Sequence, residues 1–156
     1  MIKEINDFAS LFGSIPSLNE ELVVKKQNRC FLLNEALKKG VSTDFFCAGM
    51  YLGKTVGGRF FPGFELLRLL AEKKASSIVV DKKTEWLFIC GRDIFKQGIV
   101  NIVGAGSKGD HVLVLNDHCE CLGFGRIVCD LSKTERGLAV KNILDIGDFL
   151  RREKET

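Results

Sequence analysis

Several short stretches of this chain carry residue types that do chemistry, and their spacing decides how far each one goes. Near its end, Arg151-Arg152-Glu153-Lys154 places three cations within four residues. Guanidinium groups fork onto phosphate oxygens, so an adjacent Arg pair backed by a lysine suits a nucleic-acid backbone. A solvated tail, its charge trimmed by Glu153 and Glu155, is the plain alternative. Gly53-Lys54-Thr55 resembles the end of a phosphate-binding loop. That loop needs a glycine five positions earlier, where Ala48 stands, and a helix directly after it, where more glycines follow. Lys54 therefore reads as a solvated cation on a bend. His118-Cys119-Glu120-Cys121 has metal-ligand types, but structural zinc sites pair two separated knuckles. No second knuckle exists among cysteines 30, 47, 90, 119, 121 and 129, so the cluster reads as a turn and neither a metal nor any other cofactor is expected.

Gly123-Phe124-Gly125-Arg126 has the look of an RNA-recognition strand, yet Leu122 and Ile127 stand where a basic residue and a second aromatic belong. Glycines within a strand more often mark tight curvature. His111 and His118 have no nucleophile at a recognisable spacing, and Ser107 lacks the Gly-x-Ser-x-Gly frame. Asp145 and Asp148 lie three apart at a helix start, where carboxylates cap. The residues thus predict no enzyme.

The elements that position these groups fall into two halves. The chain has 156 residues, 23 basic against 20 acidic, with 46% apolar and 28% charged side chains. That is globular composition, large enough to bury a core without disulfide or metal staples. Residues 1–80 carry 11 basic and 8 acidic side chains and the remainder 12 of each, so the net charge of +3 sits in the first half. No apolar run approaches the roughly 20 residues of a membrane span, and the mixed-charge start shows no secretory apolar region. An intracellular protein with reduced thiols is expected, with Cys30, Cys90 and Cys129 as small buried hydrophobes.

In the first half Ile5, Phe8, Ala9, Leu11 and Phe12 follow a helical stripe ended by Gly13 and then Pro16. Short strands are expected at 21–26 and 29–33 around Lys26-Gln27-Asn28, then a brief helix at 35–39 stopped by Gly40. A strand at 45–52, a glycine bend at 53–58, a helix at 63–74 and a strand at 76–80 complete the half. Of the adjacent Phe60 and Phe61, at least one belongs to the core. The second half is β-rich, with strands expected at 86–90, 99–103, 112–116, 122–130 and 138–143, one helical turn at 93–96 and a short helix at 145–152.

Residues about 80–152 resemble a PUA domain, a small RNA-binding β-barrel. The resemblance rests on Phe88 through Ile99, on Gly109-Asp110-His111-Val112-Leu113-Val114 and on Leu122-Gly123-Phe124-Gly125. It ends on Ala139-Val140-Lys141-Asn142 and Asp145-Ile146-Gly147-Asp148-Phe149-Leu150. The whole chain is similar to archaeal-type members of the Nip-seven family of large ribosomal subunit biogenesis factors. Leu52-Gly53-Lys54-Thr55 and 64–71 fit that pattern in the first half.

The resemblance implies an α+β protein: a small N-terminal α/β domain at 1–79 and a C-terminal PUA pseudo-barrel with short helices at 80–156. It implies a non-catalytic factor that binds pre-rRNA, here expected as single-stranded U/A-rich RNA. Exosome or ribosome-assembly proteins would dock on the N-terminal domain, and no membrane is involved. The compartment is then the cytoplasm, or the nucleolus in a eukaryote. Arg151, Arg152 and Lys154 match the basic segment implicated in RNA contact, and other PUA domains grip RNA near positions matching Arg92, Lys96 and the Gly98 turn. Lys54 and Arg59 would extend a basic path, with Phe60 and Phe61 able to stack bases. Because Arg151 and Arg152 follow the last core strand, their removal is expected to weaken RNA binding without unfolding. The alternatives are an RNA-modification enzyme or its accessory subunit, and a protein scaffold.

Overall fold

The computed structural model describes residues 2–42, 44–104 and 106–152. Helix α1 (Ile2–Ser10) buries Ile5, Phe8 and Ala9, and Phe12 is buried just beyond it, whereas Leu11 of the expected stripe is exposed because the helix has ended. A 3-10 turn at Glu20–Leu22, capped by Asn19, leads into the hairpin of β1 (Val23–Lys26) and β2 (Arg29–Leu32). Helix α2 (Glu35–Gly40) starts at Asn34, whose side chain accepts the Leu37 N–H at 2.8 Å. Gly40 is its last helical residue, not a left-handed stop, and the chain leaves through extended Val41.

The expected strand at 45–52 and bend at 53–58 are displaced. The strand is β3 (Met50–Val56), and it turns through Gly57-Gly58, both at positive φ, into β4 (Arg59–Pro62). Phe45 instead packs from a loop, its ring 5.7 Å from Phe31. Helix α3 (Phe64–Glu72) follows and buries Leu66, Leu67 and Leu70, each worth about 1.5–3 kcal/mol of transfer free energy.

Strand β5 (Ser77–Val80) belongs to the second sheet, so the expected boundary between 79 and 80 falls within it. The apolar run at 86–90 is not a strand. It forms α4 (Lys82–Ile89), because the Asp81 carboxylate accepts the Thr84 N–H at 2.7 Å and starts a helix there. Cys90, just past that helix, is consequently exposed, whereas Cys30 is buried and Cys129 half-buried. The helical turn expected at 93–96 is a short strand, β6 (Ile94–Phe95), with a 3-10 turn shifted to Lys96–Gly98. Strands β7 (Ile99–Val103), β8 (His111–Leu115), β9 (Cys121–Ile127) and β10 (Leu138–Asp145) and helix α5 (Ile146–Arg152) complete the fold close to expectation.

Strands β1 to β4 form an antiparallel meander, and the second sheet has the order β6-β10-β9-β8-β5-β7, with β5 and β8 parallel. That sheet curls around Ile78, Val80, Phe88, Val112, Val114 and Ile127. Its convex side packs Leu113, Leu115 and Phe124 against α1, α3 and the inner face of the first sheet. Strand β8 is therefore buried on both faces, which explains its uninterrupted apolar run. The two halves share one core across this seam, where Phe124 meets Phe8 and Phe12 at 5.6 and 5.5 Å. Of the paired aromatics, Phe60 packs on Phe8 while Phe61 stays exposed. Among the described residues, no helix is long and apolar enough to cross a membrane.

Candidate nucleic-acid interface

Strand β10 runs into α5 through Asp145, which is 3% exposed and whose carboxylate lies at the centre of a polar knot. Its Oδ1 accepts the Asp148 N–H at 2.8 Å and so caps α5. Its Oδ2 accepts from Asn142 Nδ2 at 3.1 Å. Arg151 Nη2 lies 3.1 and 3.0 Å from the two oxygens, and Nη1 donates to the Ile89 carbonyl at 2.9 Å. Ile89 ends α4, where a cation complements the helix dipole. Asn142 reaches the same place, donating through Nδ2 to the Phe88 carbonyl at 3.0 Å and through its backbone N–H to Asp93 Oδ1 at 2.8 Å. The end of α4, the turn after it, β10 and α5 are thereby fastened together.

The knot positions a cationic and apolar surface. Arg92 is exposed on the turn directly after α4, and Gly91 beside it lies against the Arg151 guanidinium. Lys96 is half-buried at the start of the 3-10 turn, which is held by its N–H bond to the Gly137 carbonyl at 2.8 Å. Trp86, Leu87, Phe95 and Leu138 are exposed, and Leu138 lies directly across from Phe95 in the sheet. A groove of about 340 Å³ between α4 and β6 has Lys83, Leu87 and Phe95 in its walls. The acids beside this groove are engaged within the fold. Asp81 accepts from Thr84, whose backbone and hydroxyl hydrogen bonds hold its carboxyl below the ordinary value, and Asp93 accepts from Asn142. Cations and exposed aromatics beside committed acids can hold phosphates and stack bases.

The structure thus brings Arg92 and Arg151 together at the end of α4, with Lys96 across the short β6 strand. Arg152 closes α5, and Lys154 lies outside the described residues. Arg151 follows the last core strand as expected, yet its guanidinium also pairs with the buried Asp145 carboxylate and bonds the Ile89 carbonyl at a helix end, so its removal bears on stability as well as on binding. Sequence reasoning misses Trp86 and Leu87 as surface residues, since 86–90 reads as a strand. The signal that finds them is Asp81 three residues before Thr84, a helix N-cap.

The other motifs resolve structurally. Gly123 and Gly125 sit where the backbone of β10 approaches β9, and an added Cβ at either would collide with it. Phe124 between them is buried, in a strand of tight curvature. The turn at 116–121 is fastened by Asn116, whose Oδ1 accepts the His118 and Glu120 N–H groups and whose Nδ2 donates to Glu120 Oε2 at 2.7 Å. Burial pushes the Cys121 thiol up to about 11, the wrong direction for a thiolate ligand. Among the described residues, no group of three His, Cys, Asp or Glu is placed to hold a metal ion.

A curled mixed sheet with a capped helix at one side and short helices at its end defines a PUA-type half-barrel, preceded here by a four-stranded α+β unit. A family model described as the UPF0113 PUA domain matches residues 76–154, and the chain belongs to that family. A UPF0113 protein of Archaeoglobus fulgidus is 33% identical over 111 residues, covering 69% of this chain and 63% of the relative. The structure of a conserved PUA domain protein from Thermoplasma acidophilum superposes with a TM-score of 0.61 at 21% identity, covering 97% of this chain and 92% of that one. A hypothetical protein from Pyrococcus horikoshii gives 0.58 at 17% identity, covering 98% and 96%. Both likenesses show the fold. PUA domains are associated with RNA binding.

Proposed function

We propose that this protein is a non-catalytic RNA-binding factor that holds single-stranded pre-rRNA during large ribosomal subunit assembly, as the Nip-seven resemblance implies, in the cytoplasm. The observation that carries the reading is the α4–β6 surface of its PUA domain. There Arg92 precedes and Lys96 follows β6, whose Phe95 is exposed, while the neighbouring Asp81 and Asp93 are occupied by capping and backbone bonds. Phosphates meet the cations, and unpaired bases rest on Phe95, Leu87 and Trp86. Arg151 supports this surface from behind and adds its charge at the edge. Assembly or exosome proteins would engage other faces of the N-terminal unit.

Fluorescence anisotropy of a labelled U/A-rich single strand, titrated at several salt concentrations, tests the reading. Two to three phosphate contacts give a log–log slope of about −1.4 to −2.1. Arg92→Gln with Lys96→Gln should flatten that slope by about 1.4, at about 0.7 for each phosphate released. Wild-type slope and affinity in the double variant would refute this surface.

A further inference from the structure

A second cationic face lies on the other sheet. Strand register puts Lys26 opposite Arg29, Arg29 opposite Lys54, and Lys54 opposite Phe61, one row across all four strands. The contacts of the adjacent residues settle which face this is. Thr55 donates to Glu4 of α1 at 3.2 Å and Phe60 packs on Phe8 of the same helix at 5.7 Å, so the row faces away from the core. Lys54 owes its orientation to a bulge. Cys30 pairs with Gly53 and Phe31 with Tyr51, leaving buried Leu52 as the extra residue. Gly53 takes φ +146°, and an added Cβ would strike the Phe61 carbonyl. Without the bulge, Lys54 would share the core-facing side of Leu52, two residues before it.

Aromatic rings border the row. Phe46 is 82% exposed, and the Arg29 guanidinium lies 4.9 Å from its ring centroid. Phe45 is seated on Phe31 with Lys26 Nζ 5.6 Å from its centroid. Between them lies a groove of about 350 Å³ that also takes in Gln27 and Asp44. Asp44 pairs with Lys26 at 3.1 Å, so among the described residues of groove and row one carboxylate stands against three cations. Arg59 adds a fourth on the outer side of β4, opposite Val56. A cation stacked on a solvent-facing ring, beside a row of further cations, is how proteins hold single strands: π-faces for bases, charge for the backbone. The excess positive charge of the whole chain also lies in this half.

We propose that this row is a second RNA contact. Phe46 and Phe61 stack unpaired bases, while Lys26, Arg29 and Lys54 meet the phosphates between them. The site uses none of the residues of the α4–β6 surface, so the two can be tested apart. The experiment titrates the full chain against a labelled 20-nucleotide single strand at several salt concentrations. Phe46→Ala should raise Kd about 5- to 150-fold, the span expected for removing one base stack. Lys54→Gln should flatten the salt slope by about 0.7. Both side chains are exposed, so melting temperatures should equal that of wild type. Wild-type Kd and slope in both variants, with weakened binding on removal of Arg92 and Lys96, overturns the second contact and leaves the PUA surface standing. The reverse pattern upholds the second contact and removes the PUA surface. A Phe46→Ala defect accompanied by a lower melting temperature overturns the stacking role, and wild-type protein that binds no RNA overturns both sites.

Discussion

The two cationic faces differ in what their charges already hold. On the PUA side Arg151 is bonded to a buried carboxylate and a helix-end carbonyl, and Arg92 and Lys96 ride on turns that this knot fastens. On the meander the cations are laid out by strand register, with Lys26 paired to Asp44 and Arg29 stacked on the exposed ring of Phe46. Charge at Arg151 is thus tied to stability, whereas the exposed charge of Lys54 on the second face can be removed with the fold intact. An RNA-binding defect means different things on the two sides, and stability must be measured beside affinity.

Arg151→Ala tests this contrast with the largest expected effect. It strips Asp145 of its counter-charge while leaving the Asn142 and Asp148 bonds, so the loss should be about 2–3 kcal/mol. For a chain of this size that is a melting temperature lower by about 4–12 °C. Arg151→Lys should restore little, because an ammonium cannot bridge the carboxylate and the Ile89 carbonyl together. Chemical denaturation reads both. An Arg151→Ala protein as stable as wild type would place Arg151 among the purely functional cations.

Gly53→Ala probes the other face next. The substitution forces a Cβ into left-handed backbone against the neighbouring strand, at a cost of about 1–3 kcal/mol. The bulge it strains also aims Lys54, so RNA affinity should fall together with stability. Lys54→Gln should change affinity alone. Equal affinity for Gly53→Ala and wild type would separate the bulge from binding.

How much of this is legible in the sequence follows from how local each cause is. The β1–β2 hairpin around Gln27, the stripe of α1 and the β8–β9 hairpin are set by residues within a few positions of one another, and their spacing shows them. Helix α4 is hidden because Trp86-Leu87-Phe88-Ile89 is equally apolar as strand or helix, and the one-residue cap at Asp81 decides it. Lys54 and Arg59 are visible as a basic pair and Phe61 as an aromatic. Their alignment with Lys26 and Arg29 is not visible, because the Gly53 bulge shifts the register between strands more than 20 residues apart. Arg151 reads as a tail cation for the same reason, since Ile89, which it bonds, lies 62 positions away.

The smallest expected effect sits at the seam between the two regions. His111 begins β8, with its ring 6.1 Å from Phe12 of the first half and 6.5 Å from Phe124 of the second. Burial there, with Arg126 directly across in β9, lowers its pKa from 6.5, and Asp110 offsets this only in part. The folded protein therefore holds His111 neutral at pH values where the unfolded chain already binds the proton. Its contribution to stability is complete above the unfolded value of 6.5 and is lost as pH falls through the folded value. Stability should drop as pH falls below 6.5, and His111→Gln, which binds no proton, should flatten that part of the curve. His118, the other histidine, is exposed on the Asn116 turn and serves as the control through His118→Gln. If the two halves are one cooperative body joined at this ring, circular dichroism at 222 nm and the fluorescence of Trp86 should report the same shifted midpoint. If the midpoints part at acid pH, the seam opens first and the four-stranded sheet unfolds apart from the PUA barrel.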